Sequence, residues 1–352
     1  MSGSAPTEEA TRLARAAAQW LTFPRAAALP RQVVRHLIAV QAQLPSAAAL
    51  AIRARSSENS AADVAAAYSS GDLVRTWLFR GTLHVVAAED VDWLLGLVRQ
   101  TITARTARRR SELGLDDTTL ERSAAVLNDA LATGEPRTRT ELFDVLSEAG
   151  IDPSGQRGIH LIRNAALTGS LCFGTDRGHE PTWIARQPRP DRRSRPKALA
   201  ELARRYRAAY GPADARDLAA WAGLAAVDAR QAWSGAVGTG AHRDGNASAV
   251  RLLPHFDPYL LGYRSRDLVV PAAHAPAVWT GGGFIMPTVV TDGQAVATWE
   301  AVRRTGSMSI TVRPFTSVGD DLRAGIDDEV ADIGRFLGTR VSWTVGATAV
   351  RA

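Results

Sequence analysis

Two glutamines, Gln41 and Gln43, stand in an apolar stretch of the chain, IAVQAQLPSAAAL at residues 38–50. On a helical wheel Gln41 shares a stripe with Leu37 and Ile38, so a polar side chain lies where the pattern places a core residue. Gln43 falls on the opposite side of such a helix. In extended backbone, however, residues two apart point the same way, and the two amides then converge on one site.

Pro45 bears on which backbone to expect, because proline disfavours the α region for the residue before it. The sequence predicts that a helix starting near Arg31 ends at Gln43, that Ser46 caps a second helix, and that the amides lie at the junction between them. Spacing alone favours a purely structural interpretation. In that interpretation Gln41 satisfies a buried backbone group and Gln43 is the last residue of a helix.

An amide does neither acid nor base work near neutral pH, and this limits the chemistry that the two glutamines can support. Two converging amide oxygens can hold a water molecule and offer carbonyl dipoles to a positive charge that develops during a reaction. This suits a leaving group that is already cationic, because it departs as a neutral molecule and needs no proton.

The composition excludes several other kinds of site. The single cysteine, Cys172, rules out an internal disulfide and a multi-thiolate zinc site, and the seven histidines show no ligand spacing beside carboxylates. We expect neither a metal nor a cofactor. The single lysine, Lys197, lies in a Pro/Arg-rich stretch at 187–197 that is typical of a linker, so a lysine Schiff base has one candidate.

Arginine supplies nearly all of the positive charge, and the formal net charge is +6. Arginine pairs with phosphate, which indicates a polyanionic partner, but genome composition can also replace lysine by arginine and fits the Ala-rich sequence equally well. No apolar run is long enough to span a bilayer, and acids stand where a signal peptide carries a basic and then an apolar segment. We therefore expect a cytoplasmic protein that does not associate with membranes.

A pattern of helices followed by a short strand pair predicts an α+β protein with three tandem winged helices. In the first unit the strand pair is VRTWLFRGTLHVVA at 74–87, with a type II′ turn at Gly81-Thr82. In the third unit Asp214 caps one helix and Gly223 ends it. The predicted units span residues 1–110, 111–190 and 191–247.

From residue 248 to 352 the pattern changes to strands. Here we expect a C-terminal β-barrel, with an open sheet as the alternative. Asp292-Gly293 between alternating segments is the strongest hairpin signal in the chain, and apolar residues alternate through SMSITVRPF at 307–315. One helix, from about Asp320 to Leu337, interrupts the strands.

Three segments, taken together and in this order, resemble the AlkZ and YcaQ-like winged-helix DNA glycosylases: QAQLP at 41–45, RTWLFRGTLH at 75–84 and LLPHFDPYLLGYRSRD at 252–267. The resemblance implies three winged helices and a C-terminal β-barrel in a C-shaped arrangement around duplex DNA. The catalytic motif of that family, Gln, an apolar residue, then Gln or Asp, maps onto Gln41, Ala42 and Gln43.

The Gln-x-Gln form resembles the branch of the family that removes bulky N7-alkylguanines and opens interstrand crosslinks, often as self-resistance in producers of DNA-alkylating antibiotics. The resemblance thus implies a monofunctional glycosylase that acts on duplex DNA carrying an alkylated guanine or a crosslink. Because N7-alkylguanine is cationic, it fits the chemistry available to two amides. Weak or no action on neutral damaged bases follows from the same argument.

Ten further residues are predicted to contact DNA. They are Arg75, Arg80, Thr82 and His84 in the first unit, Arg157, His160 and Arg163 in the second, and Tyr263, Arg264 and Arg266 near the C-terminal strands. For His84, contact with a phosphate or lesion and a hydrogen bond within the core are equally good interpretations. The three-residue spacing in the second unit also describes an ordinary solvated helix face. Asp257 before Pro258 predicts a turn with a local side-chain bond.

A non-catalytic winged-helix protein, such as a transcription regulator, is the alternative function. A regulator needs a dimer with two-fold half-site geometry, whereas three unlike units in one chain favour a monomer around a single site. A nuclease needs a cluster of metal-binding carboxylates, and the sequence shows none.

Overall fold

Helices and short strands alternate through the first predicted unit in the computed structural model, which describes residues 7–22, 24–236 and 249–348. In chain order the elements are α1 (Glu8–Ala18), α2 (Pro30–Leu37), β1 (Val40–Gln41), α3 (Pro45–Arg53), α4 (Ala61–Ser69), β2 (Leu73–Trp77), β3 (Leu83–Ala87), α5 (Val91–Arg105) and α6 (Ala107–Glu112). Helix α3 begins at Pro45 with Leu44 as its N-cap, so the prediction that Ser46 caps it is wrong.

Helix α2 ends at Leu37, not at Gln43 as predicted. Ile38 has φ 68° and ψ −50°, and the Ala39 N–H donates to the Leu37 carbonyl at 2.8 Å, which is a γ-turn with positive φ. A β-branched residue is strained in this conformation. The turn redirects the chain from α2 into β1.

The turn between β2 and β3 is centred on Arg80 and Gly81, one residue earlier than predicted. These residues have φ values of 55° and 75°, and the Thr82 N–H donates to the Phe79 carbonyl at 3.2 Å. Positive φ at both central residues makes the turn type I′ and not type II′. Trp77 and Phe79 are buried in the core, as their alternation predicts.

The second predicted unit shares its sheet with the first. Its elements are α7 (Asp117–Leu131), β4 (Arg137–Thr138), α8 (Arg139–Glu148), α9 (Arg157–Leu167), β5 (Leu171–Phe173) and β6 (Thr182–Ala185). One six-stranded sheet runs in the order β1-β3-β2-β5-β6-β4, and it is joined where Arg75 of β2 pairs with Phe173 of β5. The β2–β3 and β5–β6 strand pairs therefore lie edge to edge, and each protects an edge strand of the other. The sequence, in contrast, predicts two separate wings.

Three helices form the described part of the third predicted unit: α10 (Arg195–Tyr210), α11 (Ala215–Ala222) and α12 (Ala226–Gly235). As predicted, Asp214 caps α11, accepting hydrogen bonds from the N–H groups of Arg216 and Asp217 at 2.7 and 2.9 Å. Gly223 ends α11 with φ 69°. Residues 237–247, which complete this unit, lie outside the described residues, so the number of winged helices stays a prediction.

The C-terminal strands form an open sheet. The elements are β7 (Arg251–Leu253), α13 (Pro258–Leu261), α14 (Ala275–Val278), β8 (Trp279–Gly281), β9 (Phe284–Ile285), β10 (Thr288–Thr291), β11 (Gln294–Arg304), β12 (Ser307–Pro314), α15 (Asp320–Leu337) and β13 (Arg340–Val345). Five strands run in the order β13-β12-β11-β10-β7, and β8 pairs with β9 separately. Asp292 and Gly293, with φ 49° and 71°, make the predicted hairpin between β10 and β11.

The predicted β-barrel is wrong, because the two edge strands of this sheet, β7 and β13, do not pair within the described part of the chain. Helix α15 contacts both of them. Strands β12 and β13 are parallel, and α15 supplies the crossover that a parallel connection requires. The helix thus covers the sheet that a barrel would have closed.

Two buried arginines, Arg53 at the last position of α3 and Arg55 two residues beyond it, tie the first unit to the C-terminal elements. Arg55 donates to both carboxylate oxygens of Asp257 at 2.7 and 2.9 Å, and both side chains are fully buried. Asp257 also accepts the Tyr259 N–H at 2.8 Å, which confirms the predicted local bond. Arg53 donates to Glu329 of α15 at 2.9 Å. Buried charges are tolerated only when they are paired in this way.

Candidate active site

Strand β1 places Gln41 at the edge of the six-stranded sheet. Val40 and Gln41 pair with Val85 and His84 of β3, and the Ala42 N–H donates to the Leu83 carbonyl at 2.8 Å. The backbone from residue 40 to 42 is therefore extended, and side chains two apart point the same way. Gln41 Nε2 donates a hydrogen bond to Gln43 Oε1. The predicted convergence of the two amides is confirmed, and the interpretation of Gln43 as the last residue of a helix is wrong.

The two amides differ in their surroundings. Gln41 is 8% exposed, whereas Gln43 is exposed. Gln41 Oε1 is buried and has no hydrogen-bond donor among the described residues, so Gln41 does not satisfy a buried backbone N–H through this oxygen. A buried carbonyl oxygen without a donor costs about 1–3 kcal/mol. Such an atom marks a position where an external donor or positive charge is stabilised.

A cleft with a volume of about 420 Å³ opens in front of the two amides. Seven of the twelve predicted site residues line it: Gln41, Gln43, Arg80, Thr82, Tyr263, Arg264 and Arg266. Among the described lining residues there is no aspartate or glutamate, while there are three arginines. The cleft is therefore built for a substrate that carries negative charge, and it lacks a carboxylate for acid or base work.

Arg264 and Arg266 line the cleft in different ways. Arg264 is exposed, its backbone N–H donates to Asp217 at 3.0 Å, and its guanidinium has no partner in the described part of the chain. Arg266 donates to the Leu260 carbonyl at 3.1 Å, and its guanidinium lies 5.1 Å from the centroid of the Trp279 ring. Burial lowers the pKa of Arg266. Arg264 is thus available to a ligand, whereas Arg266 forms part of the wall.

The tip of the β2–β3 strand pair is docked against the third unit. The Arg80 guanidinium donates to the Trp221 carbonyl at the C-terminal end of α11, where helix carbonyls lack partners. Burial, and then the neighbouring Arg266, lowers the pKa of Arg80. Thr82 Oγ1 donates to the Phe79 carbonyl at 3.1 Å. The tip therefore serves as a wall of the cleft and is not free to insert elsewhere.

His84 and Tyr263 are both buried with their polar atoms engaged. His84 Nδ1 donates to the Thr82 carbonyl at 3.1 Å, and burial, reinforced by Arg80, lowers the pKa of His84 to about 3. The ring is neutral, which favours the core interpretation over contact with a phosphate. The Tyr263 hydroxyl accepts from Gln19 Nε2 at 3.4 Å, and burial raises its pKa.

Comparison with known proteins bears on these features together. The sequence profile of the AlkZ-like DNA glycosylases matches residues 34–336, a range that contains the amide pair, the β2–β3 strand pair and the arginines of the cleft. The chain belongs to the AlkZ-like DNA glycosylase family. It is therefore an enzyme, a DNA glycosylase, and the alternative as a non-catalytic regulator is not supported.

Two comparisons with members from Streptomyces sahachiroi give the extent of the similarity. The chain is 26% identical over 358 residues to an interstrand DNA cross-link repair glycosylase, covering 90% of this chain and 92% of the relative. The solved structure of the DNA glycosylase AlkZ matches with a TM-score of 0.73 and 23% identity, covering 98% of this chain and 100% of that one. The second comparison supports the mixed α+β fold.

In this AlkZ-like glycosylase two of the predicted DNA contacts, Arg75 and Arg157, donate their hydrogen bonds to groups inside the protein. Arg75 is buried, donates to Asp176 at 3.0 Å, and lies 4.3 Å from the centroid of the Phe173 ring. Arg157 donates to the Asp152 carbonyl at 2.9 Å and to the Leu113 carbonyl. Neither residue lines the cleft: Arg75 joins the first unit to the second, and Arg157 makes its contacts within the second unit. We leave Arg75 and Arg157 out of the proposed DNA surface.

Of the other two candidates on α9, His160 and Arg163, only Arg163 adds positive charge to the glycosylase beyond its cleft. Arg163 packs on the strand-pair tip so closely that a Cβ on Gly81 would overlap its guanidinium. Arg163 Nε is buried without an acceptor, and no carboxylate pairs with this arginine in the described chain. Burial, and then Arg163 and Arg109, lowers the pKa of His160. His160 is therefore neutral near neutral pH, and Arg163 alone carries positive charge from α9 to the tip beside the cleft.

The sequence reasoning missed the strand pair β8–β9, which forms one wall of the cleft through Trp279, Gly282, Gly283 and Ile285. Its tip is the glycine run at 281–283, whose φ values are 99°, 60° and 78°. Such values suit glycine, and three glycines in a row between Trp279 and Phe284 were a signal that could have been read.

Residues 7–22, 24–236 and 249–348 contain neither a metal-binding cluster nor a membrane-spanning helix. No group of three or more His, Cys, Asp or Glu side chains there could hold a metal ion. No helix in those ranges is both long and apolar enough to cross a membrane.

Proposed function

We propose that the chain is a monofunctional glycosylase that hydrolyses the N-glycosidic bond of N7-alkylguanine in duplex DNA, with Gln41 and Gln43 as its catalytic residues. The observation that carries the proposal is the buried Gln41 Oε1, which has no donor among the described residues and lies at a cleft without a carboxylate. Glycosidic hydrolysis ordinarily uses two carboxyl groups, one as acid and one as base or nucleophile. This cleft supports a route that needs neither.

In the proposed mechanism a water molecule donates its two O–H groups to Gln41 Oε1 and Gln43 Oε1, which leaves a lone pair facing C1′ of the sugar. The C1′–N9 bond breaks, and its electron pair neutralises the cationic guanine, which departs. The water oxygen bonds to C1′, and one proton passes to solvent. The amide dipoles stabilise the positive charge that develops on the sugar, where the low local polarity strengthens them.

Positive charge around the cleft supports the binding of the duplex backbone. Arg264 offers an exposed guanidinium at the cleft, while Arg163 on α9 places a second guanidinium against the strand-pair tip beside it. We infer that the protein binds as a monomer, with the two helical units of the shared sheet and α10–α12 placed around one lesion. The count of three winged helices and a C-shaped arrangement remain part of this proposal.

Interstrand crosslinks through guanine N7 belong to the same proposal. The bond that must be cleaved again carries a cationic base, so the amide pair faces the same chemistry. A relative that covers 90% of this chain is named an interstrand DNA cross-link repair glycosylase, which supports the extension. The role in self-resistance to a DNA-alkylating antibiotic, implied by the sequence resemblance, stays a prediction.

The test is base release from a duplex that contains one N7-methylguanine, measured in a single turnover with excess protein. The expected product is an intact strand with an abasic site, which breaks only after treatment with alkali. Borohydride added during the reaction should trap no covalent adduct, because Lys197 lies exposed in the first turn of α10 and does not line the cleft. No base release, or an adduct through Lys197, contradicts the proposal.

A further inference from the structure

Strand β1 consists of only two residues, Val40 and Gln41, and is shorter than most strands, so its bonds to β3 give it little support. The chain enters β1 through the turn at Ile38, whose positive φ is strained for a β-branched residue. Strain of this kind persists only where the surrounding structure holds it. The position of the Gln41 amide therefore depends on what holds the residues just before β1.

Helix α10 of the third unit packs against α2 and reaches the carbonyl groups at its C-terminal end. Carbonyls at this end of a helix lack partners within the helix itself. The Tyr210 hydroxyl donates to the Leu37 carbonyl at 3.0 Å, and the same carbonyl accepts the Ala39 N–H that closes the turn. Arg205, also on α10, donates to the Arg35 carbonyl. Two side chains from a distant part of the sequence thus bind the last turn of α2.

The Tyr210 ring also touches another part of the cleft lining. It lies so close to Gly262 that a Cβ on this glycine would stand 2.6 Å from Tyr210 Cδ1. Gly262 immediately precedes Tyr263 and Arg264, which line the cleft. The ring centroids of Tyr210 and Tyr263 are 6.2 Å apart. One side chain therefore connects the residues that precede the amides with a second segment of the cleft.

The surroundings of Tyr210 make its hydroxyl a permanent donor with a fixed direction. The side chain is fully buried, and burial raises its pKa, so the hydroxyl keeps its proton near neutral pH. The Tyr206 ring stacks on it with a centroid distance of 4.8 Å, and the Trp221 ring lies 5.2 Å away. Tyr210 does not line the cleft, so it acts on the amides only through the backbone that it holds.

We propose that Tyr210 is a positioning residue for base release. By holding the Leu37 carbonyl, it fixes the turn at Ile38 and thereby aims the Gln41 amide at C1′ of the sugar. This inference rests on the proposed function, in which Gln41 is catalytic. A displacement of about 1 Å at the reacting groups can slow an enzyme by roughly a hundredfold. Loss of the hydroxyl therefore lowers the rate of the chemical step and leaves DNA binding unchanged.

Tyr210→Phe removes the hydroxyl and keeps the ring, and Tyr259→Phe is the matched control. Tyr259 is equally buried, its hydroxyl donates to the Gly293 carbonyl at 2.9 Å, and neither of these residues lines the cleft. Each variant loses one buried hydrogen bond, so both should melt somewhat below the parent. In single turnovers on a duplex with N7-methylguanine, Tyr210→Phe should be slower by roughly tenfold or more at unchanged DNA affinity. Tyr259→Phe should keep the parent rate.

Two further measurements separate positioning from a general loss of stability. Exchange of the backbone N–H groups of residues 38–42, followed by mass spectrometry, should be faster in Tyr210→Phe and unchanged in Tyr259→Phe. In the Gln41→Ala background, Tyr210→Phe should cause no further loss of rate, because the amide through which it acts is gone.

The proposal is overturned if Tyr210→Phe releases the base at the parent rate or leaves the exchange of residues 38–42 unchanged. Equal slowing by Tyr259→Phe also overturns it, as does a tenfold loss that persists in the Gln41→Ala background. Release at the parent rate by Gln41→Ala itself is a different result: the proposed function has then failed, and the role of Tyr210 falls with it.

Discussion

Gln41 and His84 face each other directly across the β1–β3 strand pair, and their side chains project from the same face of the sheet. The His84 ring is fixed by the bond from Nδ1 to the Thr82 carbonyl and is neutral, because burial lowers its pKa to about 3. The neighbour of Gln41, the proposed catalytic amide, therefore does not titrate near neutral pH. The amides themselves have no protonation step in that range.

The first prediction concerns the pH dependence of catalysis. The single-turnover rate of N7-methylguanine release should be flat between about pH 5 and 7, because no carboxylate among the described residues lines the cleft and His84 stays neutral. The measurement is base release over that range at constant ionic strength. A bell-shaped profile of rate against pH would show that a titrating acid or base takes part, and it would contradict the amide mechanism.

The second prediction concerns the amides. Gln41→Ala and Gln43→Ala should each lower single-turnover base release by roughly a hundredfold or more, the loss expected for one preorganised dipole, and change DNA affinity by only a few-fold. Gln43→Asp should retain activity on small cationic lesions, because a carboxylate also stabilises the sugar cation. Gln100→Ala, at an exposed amide on α5, is the matched control. Folded Ala variants with the parent rate would contradict the assignment.

A third prediction links His84 to stability. The pKa of His84 lies below its ordinary value of 6.5 in the folded chain, so below that pH the unfolded chain binds a proton that the folded chain does not. Stability is therefore lost as the pH falls. From pH 7 to 5 the parent should lose roughly 2 kcal/mol more than His84→Asn, whose amide N–H replaces the bond to Thr82. Denaturant unfolding at both pH values measures this, and equal losses would refute it.

The fourth prediction concerns the face of α9. Arg163→Ala should weaken duplex binding to a similar degree for all sequences and reduce the slope of log affinity against log salt by about one, as expected for the loss of one phosphate contact. Arg313→Ala removes an arginine that is paired with Glu300 on the C-terminal sheet and should leave the slope unchanged. Binding titrations at several salt concentrations decide the matter. An unchanged slope in Arg163→Ala removes α9 from the DNA surface.

The fifth prediction concerns the buried ion pair between Arg55 and Asp257. Asp257→Asn leaves the Arg55 charge buried without a counter-charge, and the free energy of unfolding should fall by about 3–5 kcal/mol. Asp144→Asn, at an exposed position on α8, is the control and should change stability little. Thermal and denaturant melts measure both. A small effect in Asp257→Asn would mean that water or a rearranged side chain reaches Arg55.

The features predicted correctly from the sequence depend on residues close together in the chain. Asp214 caps a helix through N–H groups two and three residues away, and Asp292-Gly293 makes a hairpin through its own backbone. The convergence of the amides was predicted for the same reason, although the helix end was misplaced. The sequence does not indicate that the helix ends before Ile38, because a β-branched residue disfavours the positive φ that Ile38 adopts.

The features that were missed depend on residues far apart. The pairing of Arg75 with Phe173 joins two units into one sheet, and no local pattern specifies which strand edges meet. The cleft needs three distant segments together with the glycine tip of β8–β9. The surroundings of each arginine decide whether it is available to DNA. The Arg75 and Arg157 guanidinium groups donate to acceptors inside the protein, whereas the Arg264 guanidinium has no acceptor among the described residues. Sequence spacing contains no information about those acceptors.

The paired arginines at the C-terminal end of α3, Arg53 and Arg55, also constrain the order in which the chain can mature. Arg55 is separated from Asp257 by 202 positions, and Arg53 from Glu329 by 276. During translation α3 leaves the ribosome long before either carboxylate has been made, so the amino-terminal part cannot bury these arginines at low cost until synthesis is nearly finished. The cleft at Gln41 and Gln43, which is also lined by residues as late as Ile285, is therefore complete only after most of the chain has been synthesised.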